Sequence, residues 1–262
     1  MKPKKQQNKF DKNVVLLVDG NFLAYKSYFP VENKKIATKR FLNSTYRLKE
    51  KSGASHVTVS FDHDIRENFR YEYKWYKKSR KNSKHRHDEV YKAMLTELPK
   101  LLNERGVKTN SSPYYEADDL LGISSKYFSD KNKKVVIYTG DKDLLQLVDK
   151  NVEIWRPVLG STRKIEIHNS DNFKNLNDDF EPYQLKELKG LIGDRSDNIP
   201  GIIDLDNKVA KKLIRKYKTI DGIYENLDNI NKDVRKILVK KEKIARISLE
   251  VGTISRTKTQ KV

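Results

Sequence analysis

"NVVLLVD", residues 13–19, carries five consecutive apolar residues and ends on an aspartate. An unbroken run of Val and Leu this short reads as a strand covered on both faces, as in the middle of a parallel sheet. "HVTVSF" (56–61) and "KVVIYT" (134–139) have the same character. Between them, "IATKRFLNSTYRLKE" (36–50), "DEVYKAMLTELPKLLNERG" (88–106) and "ADDLLGISSKYF" (117–128) place apolar residues at helical spacing. Strands alternating with helices predict an α/β fold, a parallel sheet flanked by helices. "VEIWRP" (152–157) and "RKIEIH" (163–168), around a turn with Gly160, read as an edge hairpin, and from about residue 180 the pattern is helical. At 262 residues the chain can bury one sizeable core with a smaller appendage.

The chain has 55 Lys and Arg against 36 Asp and Glu, a net charge of +19, so its expected large partner is a polyanion, nucleic acid before membrane. The absence of cysteine excludes disulfides, thiolate-bound zinc, iron–sulfur clusters and a Cys nucleophile, and is compatible with a cytoplasmic location. Residues 1–12 read as a basic disordered tail, and every apolar run is too short to span a membrane, so no membrane association is expected.

The acids are less evenly spread than the cations. Asp19 follows the first strand, Asp62 the second, and Asp141 and Asp143 the third. "YYEADDLLG" sets Glu116, Asp118 and Asp119 at a helix start, and "GLIGDRSDNIPG" sets Asp194 and Asp197 on a Gly-bounded turn. Singly, each reads as well as a helix cap or turn residue. Strand ends of an open parallel sheet converge on one edge, however, and nine acids brought together raise one another's pKa unless cations neutralise them. Magnesium or manganese suits an all-oxygen ligand set, and two such ions can clamp both oxygens of a phosphodiester displacement. "KWYKKSRKNSKHR" (74–86) adds seven Lys or Arg in thirteen residues with Trp75 and Tyr76 among them. It reads either as a solvated basic loop or as a single-strand holder in which cations track phosphates and rings stack on bases.

"LLVDGNFLAYKSYF", "VSFD", "FRYEYKWYKKSR", "YYEADDLLG", "YTGDKDLLQLV" and "GDRSDNIPGI" occur in this order between about Val14 and Lys216. The set resembles the 5′ nucleases: phage and cellular flap endonucleases, the 5′ nuclease domain of bacterial DNA polymerase I and the RNase H of T-even phages. The resemblance implies a PIN-like core over residues 13–180, a helical arch at about 66–105 and a helix-three-turn-helix region that binds duplex DNA over 181–262. Asp19, Asp62, Glu116 and Asp118 resemble ligands of a first Mg²⁺, with Asp119 in or near its shell; Asp141, Asp143, Asp194 and Asp197 resemble those of a second. Lys77 and Arg80 resemble the pair that contacts the scissile phosphate, Tyr76 a stacking ring, and Arg70 a further phosphate contact. The implied activity is Mg²⁺-dependent 5′ to 3′ exonuclease and flap endonuclease, removing RNA primers or 5′ flaps in replication. Branched DNA with a 5′ single strand and RNA–DNA hybrid are the implied substrates of a monomer that works beside single-strand-binding or replication partners.

The resemblance also has a gap. Where the family continues with a Gly-Ile-Gly hairpin, this sequence reads "IIDLDNKVAKK", with Asp204 and Asp206 at the glycine positions, which counts against a K⁺-assisted phosphate contact. Lys208, Lys211 and Lys212 follow and could bind duplex through side chains, with a steep salt dependence. The divergent hairpin and the short Lys-rich chain, with no polymerase segment following, resemble a phage branch acting in a host cytoplasm. Two rival readings stand beside this one: a non-catalytic branched-DNA-binding protein, and a PIN-type ribonuclease that cuts single-stranded RNA.

Overall fold

A computed structural model describes residues 10–82, 88–158, 160 and 164–258. Among these residues the strands form one six-stranded sheet in the order β3-β2-β1-β4-β5-β6. These are β1 (Asp11–Asp19), β2 (Ala54–Ser60), β3 (Lys108–Asn110), β4 (Lys134–Tyr138), β5 (Val152–Pro157) and β6 (Ile165–His168). All neighbours pair parallel except β5 and β6, which form the antiparallel edge hairpin read from the sequence. The three-residue β3 has no apolar run and was not legible in the sequence.

Central β1 explains the layering. Val14, Leu16 and Val18 enter one core with α1 (Gly20–Tyr28), α2 (Lys34–Ser52) and α3 (Glu89–Asn103). Val15 and Leu17 enter the other, with Leu121 of α4 (Ala117–Asp130) and the 3-10 turn Asp143–Leu147. These five side chains are at most 8% exposed, and each contributes about 1.5–3 kcal/mol by leaving water. The helices after residue 180 enclose a third core around Phe180, Leu191 and Leu238. They are α6 (Gln184–Ile192), α7 (Asn207–Tyr217), α8 (Ile220–Glu225) and α9 (Lys232–Gly252), following the short α5 (Phe173–Leu176). No described helix is long and apolar enough to cross a membrane.

The strand order reverses direction between β1 and β4, which opens a crevice at their carboxyl ends. Asp19 closes β1 there and N-caps α1, accepting from the Phe22 amide at 2.9 Å. The segment expected to contain an arch holds 3-10 turns at Phe69–Glu72 and Lys78–Asn82, then α3; residues 83–87 lie outside the described residues. Its aromatic first half is packed down: Phe69, Tyr71, Tyr73, Trp75 and Tyr76 cluster with Ile199 and Val251.

Candidate metal centre and nucleic-acid interface

Asp19, Asp62, Asp118 and Asp141 line one cleft of about 340 Å³, together with Lys77 and Arg80. Local contacts aim each acid. Asp19 accepts from the Thr139 hydroxyl at 2.8 Å, and Asp62 accepts from the Ala117 amide at the start of α4 at 2.9 Å. Asn21 accepts from the Asp62 amide, and Asp141 accepts from the Asp143 amide in a two-residue turn. Burial, then the charges of Asp141 and Asp62, push the Asp19 carboxyl up to about 7 against the hydrogen bonds from Phe22 and Thr139. Burial, then Asp141 and Asp19, raise Asp118 likewise.

A second group adjoins the first. Oxygens of Asp143, Asp194 and Asp197 lie within 4.8 Å of one another, a spacing that could hold a metal ion. Two left-handed glycines shape the loop: Gly193 and Gly201 have φ of 72° and 59°, and a Cβ on Gly201 would lie 2.2 Å from the Gly193 nitrogen. Here the chain supplies its own cations. Lys189 of α6 pairs with Asp143 and with Asp194 at 2.7 Å, and Arg80 pairs with Asp197 at 2.5 Å. Burial works to raise Asp194, but its bond to Lys189 holds it at about 2; Asp143 rises by burial to about 6, with Lys189 opposing.

The remaining two acids face inward. Glu116 accepts from Lys77 and Tyr71 at 2.7 Å and from Tyr76 at 2.8 Å. Burial opposes its ionisation, yet Lys77 and then Arg70 hold it at about 2. Asp119 departs from the expected metal shell. It is 1% exposed, its oxygens take Arg70 at 2.6 and 3.0 Å, and Asn68 and the amides of Ser255 and Glu116 also donate to it. Arg70 departs too: it is 3% exposed and also donates to the carbonyl of Val251, so its fork is spent inside the protein rather than turned to a phosphate. Tyr76 is 5% exposed, which leaves no free face for a base in this conformation.

Of the expected cations, Arg80 is half-exposed at the cleft, whereas Lys77 is buried against Glu116 with its backbone in the left-handed region at φ 49°. Its amide donates to the Asp197 carbonyl, and Ser79 donates to Asn198, which sews the basic segment to the acidic loop. Lys208 and Lys212 are exposed on α7, and Lys211 pairs with Asp178. Asp206 caps α7 by accepting from the amides of Lys208 and Val209, so these amides are already satisfied; Asp204 faces Lys241 at 4.0 Å. Sequence reasoning missed Lys189, Thr139, Asn21 and Tyr71. The one available signal was Lys189 itself, a cation between the apolar residues of "LKGLIG" just before Asp194.

Residues 14–177 match the family described as 5′-3′ exonuclease, N-terminal resolvase-like domain, and residues 180–261 match its C-terminal SAM fold. The chain belongs to the 5′-3′ exonuclease family. A 5′-3′ exonuclease of Mycoplasma pneumoniae is 34% identical over 85% of this chain and 79% of its own length. DNA polymerase I of Caldicellulosiruptor bescii is 29% identical over 92% of this chain, which spans 29% of that polymerase. In fold, the nuclease is similar to the flap endonuclease of bacteriophage T5 solved with DNA and metal ions. That match has a TM-score of 0.75 and 20% identity, and covers 90% of this chain and 87% of the other. This 5′-3′ exonuclease therefore has a resolvase-like, PIN-like α/β core and a helical C-terminal region.

Proposed function

We propose that this 5′-3′ exonuclease acts on DNA bearing a 5′ single strand, and on RNA–DNA hybrid, as a monomer that removes primers and 5′ flaps in replication with two Mg²⁺ bound; Mn²⁺ would substitute. The observation that carries the reading is the cleft where four acids from separate strand and helix ends meet Lys77 and Arg80. The residues fit divalent ions: Asp19 is raised by burial and the charges of Asp141 and Asp62, and Asp118 by burial and the charges of Asp141 and Asp19, a repulsion that a bound cation would relieve. Asp19, Asp62, Glu116 and Asp118 would hold one ion, with Asp141, Asp143, Asp194 and Asp197 around the other. Such ions supply an activated water and stabilise the leaving oxygen of the phosphodiester.

The chain's own groups do the positioning. Arg80, half-exposed at the cleft, pairs with Asp197 and would be free to meet the scissile phosphate if that carboxylate were neutralised. Lys77, paired with Glu116, would serve the same phosphate if that acid held a cation instead. The exposed Lys208 and Lys212 of α7 grip duplex backbone, so affinity falls steeply with salt.

The test uses end-labelled 5′-flap, nicked duplex and RNA–DNA hybrid with and without Mg²⁺. Metal-dependent cutting beside the junction is expected, and Asp141→Asn should lower it by orders of magnitude while flap binding in EDTA persists. Absence of cleavage with either ion would leave the chain a DNA-binding protein; cutting of single-stranded RNA without a 5′ end or junction would make it a ribonuclease.

A further inference from the structure

Tyr71 sits in the 3-10 turn Phe69–Glu72, which Asn68 caps by accepting from the Arg70 amide at 3.0 Å. The Tyr71 ring is held from two sides. The Arg66 guanidinium lies 5.2 Å from its centroid, and the Tyr76 ring meets it nearly edge-on at 5.4 Å. Held in this way, the Tyr71 hydroxyl donates to Oε1 of Glu116 at 2.7 Å, while the Tyr76 hydroxyl donates to the other oxygen, Oε2, at 2.8 Å. The terminal torsion of a glutamate is otherwise broad, so two donors on opposite oxygens set the plane of this carboxylate.

Arg66 settles which way the phenolic proton of Tyr71 points. Its guanidinium donates to the Tyr71 oxygen, which leaves the one phenolic proton to Glu116. Arg66 and Tyr71 also share with Asp62 and Glu116 a notch of about 10 Å³, room for one water, so the pair stands directly beside two of the acids. The third donor to Glu116, Lys77 at 2.7 Å, differs in kind. An ammonium and a metal ion repel each other and compete for one carboxylate, whereas a phenol carries no charge and keeps its oxygen while an ion binds beside it.

We propose that Tyr71 is a positioning residue for the metal centre: its hydroxyl, oriented by Arg66, holds Glu116 in the attitude that accepts a divalent ion, without touching the substrate. The inference rests on the proposed reading in which Glu116 is a ligand. Partners that hydrogen-bond a ligating carboxylate contribute about 10–100-fold to metal affinity. Tyr71 is half-buried, and phenylalanine in its place keeps the ring that Arg66 and Tyr76 pack against, so Tyr71→Phe removes the hydroxyl alone.

The experiment is calorimetric titration of Mn²⁺ into the whole chain, freed of metal and without DNA. Wild type, Tyr71→Phe, Glu116→Gln and the double variant are compared, with melting curves to verify folding. Tyr71→Phe is expected to weaken Mn²⁺ binding at least about tenfold, and to cause no further loss in the Glu116→Gln background, because the hydroxyl acts through that carboxylate. The second measurement needs Tyr71→Phe only: the Mg²⁺ concentration for half-maximal cutting of a 5′ flap should rise about tenfold, with the KM for the flap unchanged at saturating Mg²⁺. Wild-type Mn²⁺ affinity in Tyr71→Phe, with Glu116→Gln weakened, overturns the inference and leaves Glu116 a ligand. Wild-type affinity in Glu116→Gln overturns both. An undiminished further loss in the double variant, or a raised flap KM with an unchanged Mg²⁺ requirement, overturns the positioning role in favour of general packing or a substrate contact.

Discussion

Asp19 and Asp194 sit in neighbouring acidic groups, yet one carboxyl is pushed up to about 7 and the other is held at about 2. The difference lies in what faces them. Asp19 meets Asp62 and Asp141 and has only hydrogen bonds to offset the repulsion, whereas Asp194 has Lys189 at 2.7 Å. Asp119 is paired most completely of all, because Arg70 holds it in a shell that excludes water. The lesson concerns metal demand. The strand-end group holds its charges against a mutual repulsion that a divalent ion would relieve, whereas in the second group Lys189 already compensates Asp194, though Asp143, at about 6, only in part, and an ion there would compete with Lys189.

The largest effect that would break this ordering comes from its most compensated member. Arg70→Met strands the Asp119 carboxylate in the interior and should cost roughly 3–5 kcal/mol by chemical denaturation, the usual range for an unpaired buried charge. A loss under about 1 kcal/mol would mean that water reaches Asp119. At the opposite end, Asp19→Asn should stabilise the metal-free protein by about 2 kcal/mol near pH 8, because Asn keeps the helix cap while removing the repelled charge. The sign follows from proton binding. An acid raised from 3.8 to about 7 holds its proton longer in the fold than unfolded. Its contribution is therefore full below pH 4 and is lost as pH climbs to about 7. Melting temperatures of metal-free wild type across that window should fall relative to Asp19→Asn, and Mg²⁺ should close the gap. Parallel curves would contradict the uncompensated reading.

Lys189→Met gives a smaller and two-sided signal. Without the ammonium, Asp143 and Asp194 repel, so the metal-free protein should lose about 1–2 kcal/mol. Divalent affinity at that group should rise several-fold by titration calorimetry, since an internal competitor is gone. Unchanged Mg²⁺ affinity would show that Lys189 stays in place when the ion binds. The smallest effect belongs to the open surface: Lys208→Ala should lower duplex affinity by a few-fold and reduce the salt slope by about one.

The strands could be read directly because "NVVLLV" and "KVVIYT" are short, apolar and bounded, and the helices because their apolar spacing extends over several turns. β3 escaped because Lys108–Asn110 holds no apolar residue and owes its strand geometry to pairing with β2. α1 escaped because its sequence separates no clear apolar face, and its start is set by the Asp19 cap. Within the site, Asp19, Asp62, Asp118 and Asp141 were legible from where their strands and helix begin and end. Arg70 and Asp119 were not, since a buried guanidinium and a phosphate-binding one look alike in "FRYEY".

The sequence by itself determined the alternation of strands and helices and the placement of acids at their ends, because period and termination are local properties of the chain. Tertiary structure alone decided which acids stay open and which are neutralised. Arg70 reaches Asp119 across 49 residues, Lys189 reaches Asp143 across 46 and Lys77 reaches Glu116 across 39. Local sequence carries no record of such pairings. They arise where packing brings a cation within a few ångströms of a carboxylate and removes the water between them.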